Sequence, residues 1–420
     1  MSTDRLPILG AYADTRWAQA TLRTRADIER RQVRLWRRHA STIARTPAIR
    51  HLAGQPLAGF PVVTPADIRA NFSQWNTLGL DTAAARTAAE AAERGEPGEI
   101  APGVTAGFST GTSGSRGVFL TTPTERARYI GQSLAKLLPG DALLRRWRIA
   151  LCLRANSALY RDVSKAGPFD FRFIGLDTPA PQRARTLSDF APNILIAPSH
   201  VLAALACDAQ SGALRPPPLQ RLFYGADPMG EAERNWIAAT LGARPDPIYQ
   251  ATEGFLGAAC TAGVLHLNED SFVIEQTPVP GTNRFTPIIT DLRRTSQPMI
   301  RVQLDDLLEP LDAPCPCGSP LLAVRGVEGR LGDLWRWGDV VITPRDVETA
   351  IVAAIGPKDD WQAVASPTGI DLQAAPEPGS RAREALATLL ARRAVSPPVT
   401  LSPLESMQGF KRRRVRWIDG

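Results

Sequence analysis

Residues 105–117, Thr-Ala-Gly-Phe-Ser-Thr-Gly-Thr-Ser-Gly-Ser-Arg-Gly, concentrate the kinds of group that hold an anion. Gly111, Gly114 and Gly117 alternate with Ser109, Thr110, Thr112 and Ser113, and Arg116 closes the run. A backbone without Cβ atoms bends so that successive N–H groups converge, and the hydroxyls add donors that rotate to suit the anion. The guanidinium contributes a permanent charge suited to bidentate contact with phosphate. The stretch reads as a polyphosphate cradle. It differs from a Walker A loop, because no Gly-Lys-Ser/Thr follows the required spacer. The alternative is a flexible Gly/Ser linker, against which stands the strand-like Val118-Phe119-Leu120 that follows at once.

Five further stretches carry groups of the right type. Tyr224-Gly225-Ala226-Asp227 and Pro247-Ile-Tyr249-Gln-Ala-Thr252-Glu253-Gly254 both begin as apolar strands and break at small residues, where ligands sit in open α/β sheets. A hydroxyl and a carboxylate at such a strand end suit a phosphate oxygen and Mg²⁺, respectively. Arg301-Val-Gln-Leu-Asp305-Asp306 places carboxylates after a strand, where one could accept both ribose hydroxyls. Gly329-Arg330-Leu-Gly332-Asp333 marks a restart of the folding pattern, and Gly409-Phe410-Lys411 opens a basic run near the C-terminus.

A separate pattern is Cys260-x5-His266 followed by Cys315-Pro-Cys317-Gly. Three thiolates and one imidazole match a closed tetrahedral Zn²⁺ site. The competing reading is buried, unliganded cysteine. Cys152, alone in an apolar strand, reads as core packing.

These groups need a scaffold, and the chain predicts one. Residues 1 to about 95 are mostly helical in pattern. From the glycine loop to about residue 300, the strand candidates 149–153, 194–197 and 221–224 alternate with helical patterns near 123–138, 199–209 and 230–241. That alternation predicts α/β layering with largely parallel strands. Residues 271–304 read as a β-meander. The last ninety, with a helix from Pro344 to about Ile355, read as a small α+β domain.

Taken in order, the motifs resemble those of the adenylate-forming superfamily of acyl- and aryl-CoA synthetases. They are most similar to its phenylacetate–CoA ligase and coenzyme F390 synthetase branch, over roughly residues 105–420. The resemblance implies a large multi-subdomain α/β domain, residues 1–330, and a mobile α+β domain, residues 331–420. It implies that Ser109 to Gly114, with Arg116, hold the phosphates of ATP. It further implies nucleobase, phosphate and Mg²⁺ contacts from Tyr249, Thr252 and Glu253. Gly225, Ala226 and Asp227 fall by the adenine, Asp306 on the ribose, with Arg330 following. Asp333 matches the hinge between the domains and Lys411 the catalytic lysine, with one residue inserted between it and its glycine. Members of the same branch carry similar Cys/His spacing around a structural zinc.

The activity so implied is ATP-dependent activation of a carboxylic acid, then transfer to a thiol of CoA or of an acyl carrier protein. Nucleotidyl transfer to a cofactor hydroxyl and a non-catalytic nucleotide-binding protein are the alternatives. Ser115-Arg116-Gly117 stands where many relatives have Pro-Lys-Gly. This shorter loop is similar to that of short adenylate-forming enzymes, some of which load hydroxybenzoates onto carrier proteins, so an aromatic acid is the expected substrate. Phe171, Phe173, Phe223, Tyr249 and Phe255 are the aromatic candidates for its pocket.

Bulk properties narrow the setting. With 44% hydrophobic and 22% charged residues among 420, the chain is of ordinary globular composition. No apolar run reaches membrane-span length and no signal-peptide core is visible, so the expected compartment is the cytoplasm. The net charge of +7 is carried by the first fifty residues, which hold eleven arginines against four acidic residues. The segment Arg23 to Arg38 is helical in pattern, with Leu22, Ile28, Val33, Leu35 and Trp36 as its apolar members. Without a base-reading module, nucleic acid is not the expected partner. A solvated arginine face is the plainest reading, and a surface for an acidic carrier protein is the other.

Overall fold

The computed structural model describes residues 5–108, 117–153, 169–225, 227–404 and 413–419. Helices α1 (Arg5–Thr21) and α2 (Arg25–Arg45) open the chain. A capping box between Thr24 and Asp27 starts α2. The helix runs to Arg45 rather than stopping at Arg38, because Leu35, His39 and Ile43 continue a buried i, i+4 stripe. Val33, expected among the apolar members, is 50% exposed on the opposite side. Two shorter helices follow, α3 (Pro65–Ala70) and α4 (Thr82–Glu93). Helix α4 packs on a three-stranded antiparallel sheet of β1 (Glu99–Ala101), β2 (Val104–Phe108) and β3 (Val118–Thr121). Phe108 pairs with Val118, so the glycine-rich run bridges two hydrogen-bonded strand ends.

Next come α5 (Pro123–Leu137), β4 (Trp147–Leu153), β5 (Phe169–Gly175), α6 (Ala180–Phe190), β6 (Ile194–Pro198), α7 (Ser199–Gln210) and β7 (Arg221–Gly225). After α8 (Glu231–Leu241), β8 (Pro245–Ala251) completes a parallel set in the order β5-β4-β6-β7-β8. Alternation across β4 decides its two faces. Ile149 packs with α1 and α5, whereas Ala150 and Cys152 join Leu202 and Ile237 of α7 and α8. Cys152 is fully buried there, as its position in an apolar strand predicted.

The sheet continues antiparallel through β9 (Gly254–Ala259), β10 (Leu265–Leu267), β11 (Phe272–Pro278), β12 (Phe285–Asp291), β13 (Val302–Gln303), β14 (Asp306–Pro310) and β15 (Ala323–Arg330). The remaining chain forms a hairpin of β16 (Trp335–Trp337) and β17 (Val340–Ile342), then α9 (Pro344–Ile355). A four-stranded sheet follows from β18 (Trp361–Ser366), β19 (Gly369–Ala374), β20 (Val399–Ser402) and β21 (Val415–Trp417), with α10 (Pro376–Arg392) between β19 and β20. Trp335, Ile351, Trp361, Leu372 and Leu386 bury a hydrophobic core belonging to these last residues alone. The fold is α/β, with a large sheet and a smaller C-terminal unit, as the alternation of patterns predicted.

Candidate active site and a sulfur–imidazole cluster

In the parallel set, β5 lies on one side of β4 and β6 on the other, so the chain order reverses at β4. Ligands in open α/β sheets bind outside the carboxyl ends of the strands at such a point. A cavity of about 990 Å³ opens there, touching Leu153, Pro198, Gly225 and Ala251 at the ends of β4, β6, β7 and β8.

One end of the cavity is polar. Thr252 and Glu253 form the turn between β8 and β9 and line it, as do Gly225, Asp227, Tyr249, Asp306 and Arg330. The Tyr249 hydroxyl donates to Asp306 Oδ2 at 2.7 Å. Burial and the adjacent Asp306 carboxylate push the phenol well above its ordinary value, so it stays a donor. Asp306 stands opposite Arg330 in the β14–β15 register, and Arg330 reaches Asp305 at 3.6 Å. Burial also raises the Glu253 carboxyl, with Arg294 opposing that shift.

Two residues that no motif flagged support this end. Arg294 Nη1 donates to the Thr252 carbonyl at 2.9 Å and Nη2 to Gln297 at 2.8 Å, which fixes the turn. His200 Nδ1 lies 2.7 Å from Asp227 Oδ2 and orients that buried carboxylate. His200 is 27 residues from Asp227 and Arg294 is 42 from Thr252, so only the fold reveals these contacts.

The other end is apolar. It lies between α5 and the α1-side face of the sheet, where Leu134, Leu137, Ile149, Leu151, Ile194 and Ile196 line the wall. Of the aromatic candidates, Phe171, Tyr249 and Phe255 line the cavity. Phe223 does not: it is wholly buried in the core against α5, and Phe173 is absent from the lining as well. The wall is anchored by Glu125 of α5, whose carboxylate accepts from the Thr295 and Ser296 N–H groups at 2.7 and 2.8 Å.

Some predicted groups lie outside the described residues: Ser109, Thr110, Gly111, Thr112, Ser113, Gly114, Arg116, Ala226 and Lys411. Their flanks are described. Phe108 and Phe119, beside the glycine-rich run, line the cavity. Arg413, two residues after Lys411, forms an ion pair with Asp333. Asp333 is 3% exposed in the short turn Leu331–Asp333, and burial raises its carboxyl against the pull of Arg413. A smaller cavity between the two cores is lined by Asp227, Asp306, Arg330, Asp333 and Arg413.

The second constellation is compact. Cys260 follows β9, His266 lies on β10, and Cys315 and Cys317 occupy the turn between β14 and β15. Pairing of β10 with both β9 and β15 brings the four together. Their donor atoms all lie within 4.8 Å of one another. Cys260 Sγ is 3.7 Å from Cys315 Sγ, and Cys317 Sγ is 3.4 Å from His266 Nε2. His266 Nδ1 is 3.0 Å from the Leu321 carbonyl, so a proton there leaves Nε2 as the lone-pair donor facing the sulfurs. The Ala262 and Ser319 N–H groups each donate to a sulfur at 3.4 Å. Burial alone would raise the Cys260 thiol, yet the adjacent imidazole and backbone N–H groups hold it down to about 6. Four convergent soft donors with oriented outer partners fit Zn²⁺.

No protein-family model matches the chain, and no curated protein matches it in sequence. Solved structures do match. A 2-hydroxyisobutyryl-CoA ligase in the postadenylation state, with R3-HIB-AMP, is 20% identical over 94% of this chain and 90% of that one, with a TM-score of 0.65. The amide bond synthetase McbA from Marinactinospora thermotolerans is 14% identical, covering 74% of this chain and 68% of its own, with a TM-score of 0.54. The anthranilate CoA ligase AuaEII with anthranoyl-AMP is 12% identical over 74% and 65%, with a TM-score of 0.52. At these identities the shared property is the architecture: the chain has the fold of the adenylate-forming ligases.

Proposed function

We propose that the chain is an AMP-forming acid–thiol ligase. The observation that carries the reading is one cavity joining a polar end, at Thr252, Glu253, Tyr249 and Asp306, to an apolar end beneath α5. A nucleotide fits the first and an acyl group the second, so the carboxylate of one meets the α-phosphate of the other at the carboxyl ends of the strands.

In the first half-reaction a carboxylate oxygen attacks the α-phosphorus. The α–β phosphoanhydride bond breaks and pyrophosphate leaves. Both reactants are anions, so catalysis is mainly charge neutralisation and in-line placement. Ser109 to Gly114 and Arg116 would cradle the phosphates, and the Thr252 hydroxyl would hold one phosphate oxygen. Glu253 would bind Mg²⁺, whose chemistry there is neutralisation of charge on the leaving pyrophosphate. Asp306, oriented by Tyr249, would accept the ribose hydroxyls, and Gly225, Ala226 and Asp227 would flank the adenine, with Arg330 beside the ribose. Lys411 would bridge the attacking carboxylate and the α-phosphate.

In the second half-reaction a thiol of CoA or of a carrier protein attacks the acyl carbon and AMP leaves. We place the division between the units at residues 330 and 331, with Asp333 as the hinge about which the small unit turns. An aromatic acid suits Phe171, Tyr249 and Phe255 on the cavity wall. Cys260, His266, Cys315 and Cys317 would hold a structural Zn²⁺, since four protein donors leave no position open for substrate. The test is a panel of carboxylic acids in an ATP–pyrophosphate exchange assay. Acid-dependent exchange, strongest with aryl acids, supports the reading; no exchange with any acid contradicts it.

A further inference from the structure

The outward faces of α1 and α2 take no part in the site, and neither looks like an ordinary solvated helix surface. On α1, Leu6, Leu9, Gly10, Ala13 and Trp17 fall within about 100° of arc. All five are exposed, Leu6 by 75% and Trp17 by 55%, while Ile8, Tyr12 and Ala18 are buried on the other side. A Cβ on Gly10 would meet nothing within 4 Å. Glycine inside a helix is less stable than alanine, and no contact within the chain requires it here. Leu6 and Leu9 lie toward one end of the stripe and Trp17 toward the other, with the small residues Gly10 and Ala13 between them.

On α2, Arg30, Arg34, Arg37, Arg38 and Arg45 fall within a similar arc of about 100°, and all are exposed. No acidic residue occurs between Arg30 and Arg45. Arg34, Arg37 and Arg38 form no ion pair among the described residues. Arg30, Arg34 and Arg38 are successive like-charge i, i+4 neighbours, an arrangement that opposes the helix. The inner face holds it regardless: Arg31 Nε donates to the Asp270 carbonyl at 2.7 Å, and Gln32 to the Phe272 carbonyl at 2.8 Å. Arg31 also pairs with Asp14 at 2.7 Å, tying α2 to α1.

We propose that α1 and α2 form a docking surface for a helix of an acidic carrier protein that bears the acceptor thiol. This rests on the thiol-transfer reading above. Guanidinium forks spaced a turn apart suit carboxylates spaced a turn apart, and exposed Trp and Arg are residue types enriched at protein interfaces. The small residues at Gly10 and Ala13 favour close helix packing over insertion into a bilayer. The uncharged stripe on α1 offers nothing to a phosphate backbone. Phe272, bonded by α2, lines the cavity, so a partner on α2 sits one helix away from the site.

The test uses a recombinant holo acyl carrier protein as probe, titrated onto the full chain at about 0.01 and 0.15 M ionic strength. Binding that weakens with salt is expected. An Arg34→Glu/Arg38→Glu variant and a Gly10→Leu variant should each lose at least tenfold in carrier affinity, with melting temperature equal to or above wild type and ATP–pyrophosphate exchange unchanged. Three results overturn the proposal: no carrier binding, equal affinity in wild type and variants, or Arg34/Arg38-dependent binding only to duplex DNA or phosphatidylserine vesicles. Loss of exchange in the wild type would instead count against the ligase reading.

Discussion

The sulfur–imidazole cluster and the large cavity are built on opposite plans. The cluster gathers four donors from one antiparallel stretch, within 4.8 Å of one another. The cavity draws its polar end from β7, β8, β14 and β15, its apolar wall from α5 and β4, and its proposed lysine from the C-terminal unit. Preassembled donors lose little entropy when a metal binds, and such a site stiffens its surroundings. A reaction centre drawn from separate elements can open, exchange ligands and close again. The difference predicts that damage to the cluster appears as lost stability, and damage to the reacting groups of the cavity as lost rate or nucleotide affinity.

The largest effect should come from the most remote contributor. Lys411→Ala should cut acyl-adenylate formation by about 10²–10³-fold while ATP binding stays near normal, since one cation aimed at developing charge is worth that much. Rapid-quench measurement of adenylate reads this directly. Near-normal adenylation would place the cation elsewhere, with Arg412 the next residue to replace.

Cys315→Ser tests the other plan. Purified wild type should contain about one equivalent of zinc by elemental analysis, and the variant much less. The variant should lose melting temperature and soluble yield, while the catalytic constants of the folded remainder stay close to wild type. Zinc-free wild type with five titratable thiols would leave buried, unliganded cysteines as the account.

Glu125→Ala should cost about 2–4 kcal/mol of stability, because it leaves the buried Ser296 N–H and hydroxyl and the half-buried Thr295 N–H unmatched. The same carboxylate makes a pH prediction. Burial would raise it, but the Ser296 N–H and Arg294 outweigh that and hold it below its ordinary value in the folded chain. Its stabilisation is therefore present above the unfolded value and lost as pH falls through the depressed folded one. Glu125→Gln should flatten that acid limb; an unaltered limb in urea titrations would assign the acid lability to other carboxylates.

The smallest effect should be Tyr249→Phe, which keeps the ring and removes the donor to Asp306. An increase of about tenfold in KM for ATP, with kcat little changed, corresponds to loss of one hydrogen bond to a charged group. Unchanged KM would separate Asp306 from the nucleotide.

Gly225, Thr252 and Glu253 were legible because small and polar residues interrupt apolar strands there, which is the local mark of a strand end at a site. The four cysteine and histidine donors were legible from residue type and spacing. Helix α9 was legible to its last residue, bounded by the Thr343 cap, Pro344 and Gly356. By contrast, β5 was missed as a strand. Its Phe-Asp-Phe-Arg-Phe alternation reflects an edge position with Asp170 and Arg172 exposed, unlike β4, whose run Ile149–Leu153 is continuously apolar. Glu125 belongs to a visible Thr-x-x-Glu capping box, but its bonds to residues 170 and 171 positions away are set only by tertiary packing. His200 and Arg294 carry no local pattern at all.

The central claim is that a carboxylate and ATP meet in one cavity to give an acyl-adenylate. Its most direct test is a single-turnover reaction with ATP, Mg²⁺ and the best acid of the panel, quenched without thiol and analysed by mass spectrometry. The account predicts an enzyme-bound acyl-AMP with release of pyrophosphate, and thioester with free AMP only after CoA or a holo carrier protein is added. Release of ADP and phosphate, or nucleotide turnover indifferent to the acid, would contradict it.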